Sequence, residues 1–166
     1  MGKFFDISRR VPDFDVWIKF GVGKSIQNIH LKRVVENLGV ATCRGLPFFH
    51  AFTGSDTTSS FKGKAKKSCW GTWKVFEKAT PVFEELSQAP FVALDEESDN
   101  FKIIQKFVVY LYSKNLETAD VNEARKLLFG MNQNMERIPP TCDALLQHTK
   151  RSIYQTGKPK YSGTLL

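Results

Sequence analysis

The sequence predicts an α/β chain in which a short two-stranded sheet edge, near residues 14–30, is followed by a predominantly helical arm containing a helix-turn-helix hairpin. Three observations lead there. The run Phe14-Asp15-Val16-Trp17-Ile18-Lys19-Phe20 is rich in β-branched and aromatic residues and is closed by Gly21. From Leu31 onward apolar residues recur at three- and four-residue steps, most regularly from Asn100 to Ser113, where Phe101, Ile104, Val108 and Leu111 share one face. Helix-ending residues, Gly39, Gly54 and Gly130, and the break at Pro139-Pro140 divide the periodic segments into helices of ordinary length.

Taken in order, Gly23-Lys24-Ser25 makes a turn and Ile26 to His30 returns as a second strand, giving a hairpin. Gly21-Val22-Gly23-Lys24-Ser25 lacks the first glycine of a Gly-x-x-x-x-Gly-Lys phosphate loop, so a nucleotide loop is not expected. Leu31 to Leu38 is helical and Gly39 stops it. A more apolar helix runs through Leu46, Phe49 and Phe52, with Pro47 in its first turn and its end at Thr53-Gly54. His50, on its apolar face, reads as a satisfied boundary histidine. After the Thr57-Thr58-Ser59-Ser60 loop a helix is expected from Lys66 to Lys78, with Cys69, Trp73 and Phe76 on one face and Trp70 and Trp73 as core anchors. Thr80-Pro81 caps and restarts a short helix that Pro90 bounds. Asp95-Glu96-Glu97-Ser98-Asp99 suits a solvated helix start better than a cation site, because negative charge is favoured there by the helix dipole. Asp120 and Thr141 cap helices over Val121–Phe129 and from Cys142 to Gln155, and Thr156 to Leu166 carries no packing pattern.

At 166 residues, 42% hydrophobic and 25% charged, the chain is globular and of single-domain size. The expected division is a sheet edge and metal-ligand region over 1–61, a helical arm over 62–155, and a tail over 156–166. Cys43, Cys69 and Cys142 are odd in number and widely spaced, which fits reduced thiols better than a disulfide framework; without a Cys-x-x-Cys, structural zinc is not expected. No segment approaches the roughly 20 apolar residues of a membrane span, so no membrane partner is expected and the chain is expected to be soluble and intracellular, with the nucleus as one candidate compartment.

The net charge of +7 is local: between Lys62 and Lys78 six lysines face one acid, Glu77, which leaves only +2 for the rest. Lysine clusters by themselves are commonly solvated turns. Here the cluster adjoins Gly54-Ser55-Asp56 and a hydroxyl-rich loop, and that neighbourhood points to phosphate-backbone binding. The expected contacts are Thr57, Thr58, Ser59, Lys62, Gly63, Lys64, Lys66 and Lys67, and Asp56, at a helix end, is the expected ligand of a hard cation.

These residues carry a resemblance. Gly54-Ser55-Asp56 followed by Phe61-Lys62-Gly63-Lys64-Ala65-Lys66-Lys67 resembles the part of flap-endonuclease and other PIN-like nucleases in which a Gly-Ser/Cys-Asp tripeptide closes the metal site and a helical hairpin grips duplex backbone. The longer pattern, HAFTGSDTTS, then Gly-Lys, a Trp-rich helix, Pro-Pro-Thr and Gln-His, is similar to a group of animal proteins often found near mobile elements. Those relatives usually read Gly-Lys-Gly where this chain has Gly63-Lys64-Ala65. The resemblance implies that the strands edge a PIN-like parallel sheet whose other strands lie upstream of Met1, and that DNA or another nucleic acid is the partner. It also implies Mg²⁺ or Mn²⁺ as cofactor. Asp13-x-Asp15 stands either for the family's Asp-x-Asp pair or for the start of a later strand. The expected function is therefore that of a nucleic-acid-binding remnant of a metal-dependent nuclease, catalytically incomplete. Two alternatives stay open: an active nuclease using Asp13, Asp15 and Asp56, and a helical protein-interaction module.

Overall fold

A computed structural model describes residues 15–89, 92–132 and 137–157 of the chain. Strands β1 (Trp17–Phe20) and β2 (Gln27–His30) pair antiparallel, Trp17 opposite His30 and Phe20 opposite Gln27, around a 3-10 turn at Gly23–Ser25. The Trp17 and His30 rings stack at 4.5 Å across the ribbon. Seven helices follow among the described residues: α1 (Leu31–Leu38), α2 (Val40–Phe52), α3 (Lys66–Val75), α4 (Ala79–Gln88), α5 (Asp99–Tyr112), α6 (Val121–Asn132) and α7 (Cys142–Gly157). The architecture is thus mostly helical with one small antiparallel sheet. Beyond its own pairing, the ribbon packs mainly on α1.

Helix α2 is central, packed chiefly against α4 and then against α7, while α5 closes the far side through α3, α4 and α6. Phe83 of α4 is fully buried at the hub of the core, with ring centroids 4.9 Å from Trp73, 5.2 Å from Phe107 and 5.3 Å from Phe48. Gly45 lets α2 approach α4 closely, since a Cβ there would lie 3.0 Å from the Phe83 Cβ and 3.2 Å from the Trp73 ring. Rings in tilted and edge-to-face contact fill this space without the repulsion of face-to-face stacking.

Several boundaries differ from the sequence expectation for physical reasons. Helix α2 starts at Val40, so Pro47 lies in its interior and not in its first turn. A mid-helix proline has no N–H and crowds the carbonyl of the preceding turn. The neighbouring Phe48 N–H donates to Ser87 Oγ of α4 at 3.0 Å, a side-chain acceptor brought from another helix. Helix α3 ends at Val75, three residues short of Lys78. Thr80 does not cap α4, because the helix begins one residue earlier, at Ala79 after Lys78; its hydroxyl instead accepts the Trp73 indole N–H at 3.0 Å, and a buried indole needs such an acceptor.

Other expectations are met. Gly39, at φ 78°, ends α1, and α2 begins at the next residue. Asp120 Oδ1 accepts the Asn122 and Glu123 amides, and Thr141 Oγ1 accepts that of Ala144. The acidic run is a helix start: Asp95 Oδ1 accepts the amides of Glu97 and Ser98, and Ser98 caps α5. All three cysteines are free thiols, and burial pushes each above its ordinary pKa. Among the described residues no helix is long and apolar enough to cross a membrane. Pro90 and the tail beyond Gly157 lie outside the described residues.

Phe83→Ala removes the hub ring, and the closeness of the five aromatic neighbours leaves little room for collapse into the space. It is expected to cost about 3–5 kcal/mol in urea denaturation. A loss no larger than that of a surface change, about 0.5 kcal/mol, would contradict this account of the core.

Candidate nucleic-acid interface

The candidate region begins at the C-terminus of α2. The last carbonyls of a helix have no intrahelical donor, and here the helix end is buried, Ala51, Phe52 and Thr53 being almost fully enclosed. Each carbonyl finds a partner. The Thr53 N–H and hydroxyl donate to Phe49 O at 3.0 and 2.7 Å. Lys66 Nζ donates to His50 O at 2.9 Å and to Gly54 O at 2.7 Å, and also to Thr53 Oγ1 at 3.0 Å. Thr58 Oγ1 donates to Ala51 O at 2.5 Å, joined there by the Gly54 N–H at 3.2 Å. His148 Nε2, from α7, donates to Phe52 O at 2.8 Å.

These bonds shape the loop that carries Asp56. Gly54 adopts φ 105°, and a Cβ there would fall 2.8 Å from the Ser60 Cβ, so the position needs glycine both for its backbone and for the close passage of the loop. Ser55 and Thr58 exchange backbone bonds of 3.1 and 3.3 Å, which puts Asp56 and Thr57 at the exposed tip of a tight turn. The Asp56 carboxylate makes no hydrogen bond or ion pair among the described residues. Thr58 points inward, whereas the Ser59 hydroxyl lies 3.5 Å from His148 Nδ1.

The basic turn follows. Gly63, at φ 71°, turns the chain between Lys62 and Lys64, and the Lys64 N–H closes the turn on Phe61 O at 3.0 Å. Ala65 is extended at φ −68° and ψ 152°, so alanine fits without strain. Ala65 is also the N-cap of α3, with no side-chain cap and no acid in the first turn. The lysines divide by the direction in which each side chain points. Lys62 and Lys67 are exposed. Lys64 lies over the Tyr112 ring at 4.8 Å, and desolvation lowers its pKa. Tyr112 donates to Lys62 O at 3.2 Å, and burial pushes its phenol up to about 12. Lys66 is the inward one, its ammonium spent on the end of α2, and desolvation lowers its pKa too.

Asp15 lies elsewhere. It sits beside the ribbon, where its carboxylate accepts from His30 Nε2 and, at 3.4 Å, from Trp17 Nε1; these bonds, His30 first, hold its carboxyl below the usual range. Asp13 lies outside the described residues. Among the described residues no three His, Cys, Asp or Glu side chains gather where they could hold a metal ion. The donors described, one exposed carboxylate at Asp56 and hydroxyls largely committed to the turn, do not amount to the six or so oxygens of a hard-cation site.

Beside the turn lies a cleft of about 310 Å³ whose polar lining includes Ser59, Ser60, Lys62, Arg125, His148 and Arg151. Sequence reasoning missed Arg125, His148 and Arg151. The one local signal was the spacing of His148 and Arg151, three apart on one helix, and nothing in it tells which face of α7 meets the loop. Comparison of the chain with protein-family profiles, with curated proteins and with solved structures gives no match.

Lys66→Met should strand buried carbonyls and cost about 1–3 kcal/mol in urea denaturation, whereas Lys67→Met should stay within about 0.5 kcal/mol. Equal effects would show that the Lys66 ammonium is not a helix cap. A second prediction concerns His148, which burial holds below the ordinary 6.5. Between its folded pKa and 6.5 the unfolded chain binds a proton that the folded chain does not. Its contribution should therefore be steady above 6.5 and diminish as the pH falls below that value, and His148→Gln should abolish that part of the pH dependence. A His148→Gln difference that does not change on acidification would overturn this.

Proposed function

We propose that this chain binds the phosphate backbone of nucleic acid through the Phe61–Lys67 turn and the N-terminus of α3. The observation that carries the reading is a helix start with no side-chain cap and no acid in its first turn, reached through a glycine turn and flanked by the exposed Lys62 and Lys67. Free amides and the positive end of the helix dipole favour a phosphate oxygen, and the lysines supply the counter-charge. Lys64 holds the turn against Tyr112 and adds its charge at the edge. Lys66 belongs to the scaffold, and of the loop hydroxyls Thr57 and Ser59 face outward more than Thr58 does.

The likeness of this turn to the hairpin of PIN-like and flap-endonuclease-like nucleases accords with duplex or branched DNA as the partner, and we read the chain as a binding arm of that kind. No catalytic step is assigned to it. In-line cleavage assisted by two cations needs several carboxylates gathered together, and Asp56 would need companions from outside the described residues.

Affinity for duplex DNA is expected to fall with salt, and the log–log slope should shrink by about 0.9 for each phosphate that a variant no longer neutralises. Lys67→Ala should lower the slope by one such step, and Lys62→Ala/Lys67→Ala by two. A slope unchanged in the double variant would sink the assignment. In Mg²⁺ or Mn²⁺ the purified chain should retard branched DNA without cutting it, read on a denaturing gel; turnover abolished by Asp56→Asn would overturn the non-catalytic reading.

A further inference from the structure

We propose that the cleft between the Ser59–Lys62 loop, α6, the Pro139-Pro140 segment and α7 is a pocket for a terminal phosphomonoester of a nucleic-acid strand. The inference rests on the backbone-binding reading, because Lys62 belongs to both the turn and the cleft.

Among the described residues the lining carries the cations Lys62, Arg125 and Arg151 and no carboxylate. Guanidinium groups that share a concave site repel one another unless an anion joins them, and phosphate suits their planar donor geometry. Arg125 is oriented in advance, since Nη1 donates to Pro139 O, and its other N–H groups make no hydrogen bond among the described residues. Arg151 is exposed and has no hydrogen bond or ion pair among the described residues. His148 adds no charge of its own: Nε2 carries the proton given to Phe52 O, and Nδ1 is the acceptor facing Ser59. Desolvation keeps the ring neutral at physiological pH.

Size and charge select the ligand. At about 310 Å³ the cleft lies at the lower end of small-ligand pockets, the scale of one nucleotide. A continuous duplex cannot enter it, whereas a strand end can. A phosphodiester brings one negative charge, while a phosphomonoester brings about −1.5 to −2 at neutral pH, the better match for the two guanidinium groups of Arg125 and Arg151. Phe61, Ile138 and Pro140 give the remaining wall an apolar surface for the attached sugar or base.

The test uses the full chain and three duplexes of one sequence, bearing 5′-phosphate, 3′-phosphate or only hydroxyl ends, followed by fluorescence anisotropy. One phosphorylated duplex should bind about tenfold tighter than the hydroxyl-ended one, the effect of a single charge-assisted hydrogen-bonding group. Arg151→Gln should abolish that gain and leave the hydroxyl-ended affinity nearly unchanged, whereas Lys67→Ala should weaken all three alike. Equal binding of the three duplexes by the wild type, or a gain that survives Arg151→Gln, would overturn the pocket. Absence of any hydroxyl-ended duplex binding would instead sink the backbone reading. In that event titration calorimetry with a nucleoside monophosphate against its nucleoside decides the pocket: preference for the monophosphate, abolished in Arg151→Gln, supports it, and no preference refutes it.

Discussion

The C-terminus of α2 is buried, and its orphan carbonyls must be satisfied without water. That constraint draws together parts of the chain far apart in sequence. Donors reach the helix end from the loop after it, through Thr58, from the next helix, through Lys66, and from the last, through His148. A buried backbone acceptor left unpaired costs on the order of 1–3 kcal/mol, so each donor fixes its own element against α2. The aromatic core around Phe83 supplies the bulk of the contact surface, but it is non-directional. The donors set the geometry of the loop.

Much of the Gly54–Thr58 pattern is accounted for by this geometry. Gly54 is needed for its positive φ and for the passage of Ser60, and Thr58 for its bond to Ala51 O. Asp56 and Thr57 are what the turn leaves over, displayed at its tip. A motif that attracts notice for a carboxylate is thus largely a backbone device, and the chemistry of the exposed surface shifts to the basic turn and the cleft beside it.

Charge in this region is sorted by direction. Lys66 and Lys67 are adjacent, yet one ammonium is bound to three oxygens of the α2 end and the other projects outward at the start of α3. Lys64 is held against an aromatic ring. A cluster that sums to one number along the sequence therefore offers a ligand fewer available cations than it contains, and Arg125 and Arg151 bring others from helices more than fifty residues downstream.

The sequence by itself determined the elements whose signals are local. The β1–β2 hairpin follows from an aromatic, β-branched run closed by glycine, α1 from its period and Gly39, and α6 and α7 from Asp120 and Thr141, because strand pairing across a turn and helix capping act over a few residues. The accumulation of lysine after residue 61 was legible for the same reason. Only the tertiary structure decided the start of α2, whose interior Pro47 is followed by a Phe48 N–H bonded to the Ser87 hydroxyl of α4, and the place of Thr80, which lies inside α4 and accepts the Trp73 indole. It alone assigned Lys66 inward and Lys67 outward, and it alone assembled the cleft, since Ser59, Arg125 and Arg151 meet through the packing of α7 against α2 and of α6 against α5. Periodicity tells which residues share a face of one helix, but which face meets which neighbour is a property of the whole core.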